Sequence, residues 1–209
     1  MDDLQRSASH TLMTGRARRA IRQEIRTRRD GARQESYARA RAEFTDGDVL
    51  LFRGRGPMSR AIRLLTASPY SHVGLVMLFE GHVYCVEAVG KGVRLILMSE
   101  AVRQYHGGID YYRLREATPE QRRGALGFCL QQLGKLYDHA GLVRFLVVLA
   151  LGHKPHAWRD RTWFCSELVA AAYRTRGISL AQERPAYTSP ADLAMSPSLQ
   201  LSFVIKPDA

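Results

Sequence analysis

Apolar residues follow strand-like and helix-like patterns from about residue 45 to the end of the chain. Short β-rich runs bounded by turn residues predict strands, and apolar residues spaced three or four apart predict helices. The predicted strands are Val49–Phe52, His72–Phe79, His82–Val89, Val93–Met98, Ile109–Leu114 and Leu201–Ile205. The predicted helices are Met58–Thr66, one from Pro119 towards Gly134, one from Cys165 towards Gly177, and a short one starting at Pro190.

The clearest of these patterns is a hairpin around the turn Glu80-Gly81. A two-residue turn fixes the register, so pairing outward from it places Gly74 opposite Glu87. Because side chains alternate along a strand, His72, Gly74 and Glu87 share one face. Glu87 is then a diagonal neighbour of His72, and its carboxylate can accept a hydrogen bond from the imidazole. A register slip of one residue would turn Glu87 to the opposite face.

Cys165 stands at the start of a predicted helix. The unpaired N–H groups and the positive end of the helix dipole favour a thiolate at that place. A nucleophilic cysteine also needs a base, and His72 is the best candidate. A lone cysteine is more often a packing residue, so this pattern alone leaves catalysis and packing open. We interpret the other two cysteines, Cys85 and Cys129, as packing residues.

Residues 1–43 are rich in arginine and poor in large apolar residues. A thin apolar stripe at helical spacing consists of Met13, Ala17, Ile21 and Ile25. We interpret this segment as a helical or partly disordered arm, followed by one compact domain over residues 44–209. The whole chain has a net charge of +11. The arm is therefore a candidate contact for an anionic membrane surface, and an exposed appendage is the alternative. Residues 16–33 contain no aromatic residue, so we expect no specific nucleic-acid binding.

The sequence lacks the motifs of several functional classes. Gly54-Arg55-Gly56 is not followed by the remainder of a phosphate-binding loop. His153 and His156 have no carboxylate or cysteine partners for zinc, so we expect no cofactor and no metal. The apolar run Leu142–Leu151 contains Arg144 and is too short to span a bilayer, which predicts a buried helix. The three cysteines cannot all pair and no secretory signal is recognisable, so we expect a cytoplasmic protein.

Six short motifs in chain order resemble the circularly permuted NlpC/P60 papain-like hydrolases of the YaeF/YiiX type. They are Gly47–Phe52, Ser71–Gly74, Val86–Ala88, Gly134–Asp138, Phe164–Val169 and Ser189–Leu193. The histidine strand precedes the cysteine helix here, which is the permuted order. The resemblance covers about residues 44–205 and leaves out the arginine-rich arm.

The resemblance implies an α+β, papain-like fold in which a bent antiparallel sheet or half-barrel packs against the cysteine helix. It implies hydrolysis of an amide, or acyl transfer, through a thioester. The motif positions carry over as Cys165 for the nucleophile, His72 for the base and Glu87 for the residue that orients the base. The hairpin register places Glu87 beside His72 independently of this resemblance.

Four further residues are candidates for substrate binding. Tyr137 and Asp138 match a loop of the family that we expect near the cleft, although packing of that loop is an equal alternative. Ser71 and Ser166 are the neighbours of the histidine and the cysteine in sequence.

The substrate class stays open at this point. An amidase or peptidase acting on a small peptide or amide is the first hypothesis. A lipid-directed acyl hydrolase or acyltransferase suits the basic surface and is the second. A non-catalytic module that binds anions or lipids through the same groove is the third.

Overall fold

The computed structural model describes residues 15–105, 107–136, 163–182, 185 and 188–205. These residues form a mixed α+β structure around a seven-stranded sheet. The strands are β1 (Arg33–Glu35), β2 (Val49–Phe52), β3 (His72–Phe79), β4 (His82–Val89), β5 (Gly92–Leu97), β6 (Ile109–Leu114) and β7 (Leu199–Ile205). Their order across the sheet is β1-β7-β6-β2-β3-β4-β5. Neighbouring strands are antiparallel except β1 and β7, which are parallel.

Seven α-helices lie in the described part of the chain, and two of them begin at a capping box. They are α1 (Gly15–Asp30), α2 (Tyr37–Ala40), α3 (Pro57–Leu65), α4 (Met98–Gln104), α5 (Pro119–Leu130), α6 (Cys165–Arg174) and α7 (Pro190–Ala194). Thr118 and Gln121 form a capping box at the start of α5, and Pro119 occupies its first turn as predicted. Ser189 and Asp192 form the same arrangement at α7.

The predicted hairpin is confirmed. Strands β3 and β4 have the expected bounds, and Gly74 lies opposite Glu87 in their ladder. A side chain at Gly74 would have no room, because its Cβ would lie 2.4 Å from Cys85 Sγ and 3.1 Å from the Val86 carbonyl oxygen. Gly74 therefore lets the Cys85 and Glu87 side chains occupy the same face of the sheet.

Two buried apolar clusters flank the sheet. Because side chains alternate, successive residues of β2, β3 and β4 enter different clusters. The first cluster, which contains residues of α5 and α6, includes Val73, Leu75, Val86, Leu126, Leu168 and Val169. The second, which contains residues of α4, includes Leu50, Phe52, Val76, Cys85, Met98 and Phe203. Burial on both faces explains why β2 reads as a continuous apolar run.

Helix α1 is joined to the sheet by apolar and ionic contacts. Ile25, from the predicted apolar stripe, is fully buried in the first cluster. Arg29 Nε donates to Asp110 Oδ2 at 2.6 Å, and Arg53 Nε donates to Asp110 Oδ1 at 3.1 Å. Tyr70 donates its hydroxyl to Asp110 Oδ2 at 2.6 Å, so this buried carboxylate has three donors. Part of the segment before residue 44 is thus packed against the sheet.

Asp48 and Gly47, at the start of β2, hold the surrounding helices. Asp48 Oδ1 accepts from Arg122 Nη1 of α5 at 2.6 Å and from the Leu114 N–H at 2.9 Å. The hydroxyl of Tyr173, on α6, donates to the Gly47 carbonyl. A side chain at Gly47 would collide with that hydroxyl, and its φ of +76° also favours glycine. The Gly-Asp motif therefore sets the position of the cysteine helix against the sheet.

Some sequence predictions fall on residues 137–162, which lie outside the described residues. These predictions concern Tyr137, Asp138, the apolar run Leu142–Leu151, His153 and His156. Within the described part of the chain, no helix has the length and apolar character needed to cross a membrane.

Candidate active site

Cys165 is the first residue of α6 and is buried. The segment before it is fixed by Trp163, whose indole N–H donates to Gln132 Oε1 at 3.1 Å. The N-cap residue Phe164 has an extended backbone and supplies no side-chain cap. The N–H groups of the first turn have no intrahelical acceptor, so they remain suited to a thiolate or an oxyanion.

His72 and Glu87 form the hydrogen bond that the hairpin register predicts. His72 Nε2 lies 2.6 Å from Glu87 Oε2, and both side chains are buried. The second carboxylate oxygen, Oε1, accepts from Arg94 Nε at 2.8 Å and from Arg94 Nη2 at 2.6 Å. Arg94 lies directly opposite Glu87 in the β4–β5 ladder. Both oxygens of Glu87 are therefore occupied, which fixes the orientation of the carboxylate.

The other side of the imidazole faces Cys165. Cys165 is one of the neighbours that raise the pKa of His72, so the two side chains lie close enough to interact. Since Nε2 is bound to Glu87, Nδ1 is the nitrogen left for the thiol. The described residues thus contain hydrogen bonds that join His72 to Glu87 and Glu87 to Arg94, with Cys165 beside the imidazole.

The electrostatics favour a charged imidazole. Burial by itself would lower the pKa of His72, because it disfavours the imidazolium. The neighbouring Tyr105, Cys165 and Glu87 outweigh burial and raise this pKa well above its ordinary value. Burial raises the pKa of Tyr105, so the phenol keeps its proton at neutral pH. At neutral pH the charge that stabilises the imidazolium is then the Glu87 carboxylate.

The pKa of Glu87 moves in the complementary direction. Burial would raise it, but His72 and then Arg94 outweigh burial and hold the pKa of Glu87 below its ordinary value. Glu87 is therefore an anion across the neutral pH range, as a residue that orients an imidazolium must be.

Aromatic rings cover His72. The ring of Tyr105, which follows α4, stacks on the imidazole with centroids 5.9 Å apart and an interplanar angle of 17°. Phe52 contacts the imidazole at 5.0 Å and Tyr105 at 4.6 Å between centroids. These rings limit the access of water to the imidazole and keep the site at a low dielectric.

The two remaining thiols differ from Cys165 in environment. Cys85 is buried beside Glu87, and burial followed by this carboxylate raises the pKa of the Cys85 thiol well above its ordinary value. Burial raises the pKa of Cys129 to about 12. Both thiols stay protonated at neutral pH, which fits the packing role expected for them.

Ser71 and Ser166 have their hydroxyl groups engaged with the backbone. Ser71 Oγ accepts from the Gly54 N–H at 3.1 Å, and Ser166 Oγ donates to the Thr188 carbonyl at 2.7 Å. Both residues are buried. These contacts fit the positioning of loops better than the binding of substrate. The other two substrate-binding candidates, Tyr137 and Asp138, lie outside the described residues.

The sequence analysis did not predict two residues of the site, Arg94 and Tyr105. Arg94 was detectable, because Gly90-Lys91 is a second two-residue turn and the same register counting places Arg94 opposite Glu87. Tyr105 had no such signal, since it follows a short helix and reaches His72 only through the tertiary fold. Among the described residues, no group of three or more His, Cys, Asp or Glu side chains could hold a metal ion.

A protein-family model matches most of the chain. The model of the permuted papain-like amidase enzymes, the YaeF/YiiX or C92 family, matches residues 43–200. The chain belongs to this family. Membership in the C92 family identifies the chain as a papain-like cysteine hydrolase in general terms and confirms the papain-like α+β fold.

Two proteins of Escherichia coli K12 are similar to this C92 chain. The probable lipoprotein peptidase YaeF is 26% identical over 196 residues, which cover 78% of this chain and 70% of YaeF. The uncharacterized protein YiiX is 27% identical over 132 residues, which cover 61% of this chain and 56% of YiiX. The crystal structure of the metalloprotein YiiX from E. coli O157:H7 matches with a TM-score of 0.60 at 21% identity, over 78% of this chain and 97% of that one. The structural likeness concerns the fold.

Proposed function

We propose that this chain cleaves an amide bond through a thioester, with Cys165 as nucleophile, His72 as base and Glu87 as the residue that orients His72. The observation that carries the proposal is the 2.6 Å contact between His72 Nε2 and Glu87 Oε2, together with the interaction of Cys165 with the same imidazole. A base held between a carboxylate and a thiol is the arrangement that activates a cysteine nucleophile. The family description, which names an amidase, supports the same chemistry.

The first half of the reaction forms the thioester. His72 takes the proton of the Cys165 thiol, and the thiolate attacks the carbonyl carbon of the substrate. The backbone N–H of Cys165, at the helix start, donates to the oxyanion that develops. The C–N bond then breaks, and the His72 imidazolium gives its proton to the departing amine.

The second half returns the enzyme to its starting state. His72 accepts a proton from a water molecule, and the resulting hydroxide attacks the thioester carbon. The C–S bond breaks and the acid is released. The His72 imidazolium then returns its proton to the Cys165 thiolate, which restores the thiol and the neutral imidazole. Glu87 stays ionised throughout and stabilises that imidazolium.

The test combines cysteine labelling with a substrate screen. Iodoacetamide followed by peptide mapping should modify Cys165 faster than Cys85 and Cys129, whose raised pKa values keep them protonated. The screen compares short amides of L- and D-amino-acid peptides with lipid amides and esters, using Cys165→Ala as the control. Turnover of peptide amides that Cys165→Ala lacks supports the proposal.

The other outcomes separate the remaining hypotheses. Turnover of lipid amides or esters alone would replace the amidase with a lipid-directed acyl hydrolase. Failure to label Cys165 in preference to Cys85 and Cys129, with no turnover of any substrate, would favour a non-catalytic binding module.

A further inference from the structure

A second concave site lies between α1 and α3. It is a groove of about 550 Å³ lined by five arginine side chains: Arg22, Arg26, Arg29, Arg60 and Arg63. None of Cys165, His72 and Glu87 lines it. The arginine groove, as we call it, therefore has a chemical character of its own.

The positive charge of the arginine groove is only partly balanced. Arg29 shares the buried carboxylate of Asp110 with Arg53, so two guanidinium groups face one anion. Arg26 has an exposed partner, Asp30, at 3.5 Å. Among the described residues, the other three arginines form no salt bridge; they are Arg22, Arg60 and Arg63. Five like charges around one groove repel each other, and an anion bound there would relieve the repulsion.

Arg63 also has an unused donor. Its Nη1 donates to the Gly54 carbonyl at 3.0 Å, which fixes the side chain in the wall of the groove. Its Nε is buried and has no hydrogen-bond partner among the described residues. A buried donor without an acceptor is destabilising, and buried polar groups in folded proteins nearly always have a partner. Arg63 therefore lines the groove with hydrogen-bonding capacity that the described residues leave unused.

We propose that the arginine groove binds a phosphate-bearing ligand. Guanidinium groups match phosphate oxygens in a bidentate geometry, and several of them around one concavity suit a group with two or more negative charges. Among the described residues, no aromatic side chain lines the groove on which a nucleic-acid base could stack. Leu64, which is 69% exposed, adds an apolar contact at its edge. This combination fits a phospholipid headgroup or a small di- or polyphosphate.

The arginine groove and the candidate active site are close to each other in the sequence. Pro69 lines the groove and precedes His72 by three residues. Three peptide units limit the distance between their Cα atoms to about 11 Å. A ligand held in the groove would therefore lie near the strand that carries His72. The binding proposal does not depend on the hydrolase chemistry.

The test uses two probes and two matched double variants. Isothermal titration with inorganic pyrophosphate measures a free phosphate ligand. Co-sedimentation with phosphatidylglycerol vesicles, compared with phosphatidylcholine vesicles, measures a headgroup. The groove variant is Arg22→Gln with Arg60→Gln. The control is Arg115→Gln with Arg174→Gln, which removes the same charge from exposed arginines outside the groove. Circular dichroism confirms that both variants fold.

We expect the groove variant to bind at least one probe about 10-fold or more weakly, and the control to match the wild type within about 2-fold. A loss confined to pyrophosphate identifies a soluble ligand, and a loss confined to phosphatidylglycerol vesicles identifies a headgroup. The proposal is overturned if the wild type binds neither probe or if both variants weaken binding equally. A single-stranded RNA oligomer that binds the groove in place of both probes would also overturn it.

Discussion

Arg94 lies directly opposite Glu87 across the β4–β5 ladder and donates two hydrogen bonds to one of its carboxylate oxygens. The other oxygen is thereby directed at His72. The orientation of the base is thus set by a pair of antiparallel strands and not by a flexible loop. A rigid strand holds a catalytic group more accurately, which matters because small displacements slow the chemical step.

Arg94→Gln tests this positioning role. Without the bidentate contact, we expect kcat to fall by about 10-fold while KM changes little, because the imidazole loses its fixed orientation. Arg94 also lowers the pKa of Glu87, so the acid limb of the pH profile should move to higher pH. Arg94→Lys keeps the positive charge, so the acid limb should return to its wild-type pH. Because lysine cannot make the bidentate contact, kcat should recover only in part. A purely structural role for Arg94 would leave the acid limb of Arg94→Gln in place.

Glu87→Gln tests whether Glu87 sets the alkaline limb of the pH profile of kcat/KM. Glu87 raises the pKa of His72, so the imidazolium of the wild type should persist well above the ordinary value of 6.5. The stability that this shift contributes is complete at low pH and is lost as pH rises through the raised pKa. We expect Glu87→Gln to lose activity at lower pH than the wild type and to reduce kcat/KM at least about 10-fold. The measurement is kcat/KM as a function of pH, and an unmoved alkaline limb would contradict the assignment.

Two substitutions of Tyr105 separate the effect of its ring from the effect of its hydroxyl. Tyr105→Phe keeps the ring that stacks on His72 and removes a phenol that is protonated at neutral pH. We therefore expect the alkaline limb of kcat/KM to stay in place. Tyr105→Ala opens the site to water and should lower kcat/KM by about 10-fold. If Tyr105→Phe moved the limb as far as Glu87→Gln does, the hydroxyl would have to be counted among the charges that set the pKa of His72.

Asp110→Asn tests the attachment of α1. The substitution leaves Arg29 and Arg53 without their buried counter-ion, so we expect the free energy of unfolding to fall by about 3 kcal/mol. Urea unfolding followed by circular dichroism measures the loss. Asp30→Asn is the matched control, because its ion pair with Arg26 is exposed and should contribute little. Equal stability of the two variants would show that Asp110 is not what holds α1.

Local patterns predicted the parts of the site that depend on local rules. A two-residue turn fixes its hairpin register, so the contact between His72 and Glu87 followed from counting, and the same counting would have found Arg94. Helix starts were equally accessible, because caps such as Thr118 are local.

Long-range contacts were not accessible in this way. The pairing of β1 with β7 joins segments about 170 residues apart, and nothing in the short sequence of β1 marks it as a strand. The contact of Arg29 with Asp110 is also long-range, because it joins residues 81 positions apart. The sequence of the arginine-rich segment therefore predicted only a helical apolar stripe. The contacts of this segment became known from the three-dimensional structure.

The most direct test of the central claim is the detection of a thioester at Cys165. The wild type is mixed with a peptide amide that it turns over, quenched in acid and examined by intact-protein and peptide mass spectrometry. We predict a mass increase equal to the acyl group, located on the peptide that contains Cys165 and missing from a folded Cys165→Ala variant. An acyl group on any other residue, or undiminished turnover by Cys165→Ala, would contradict the account.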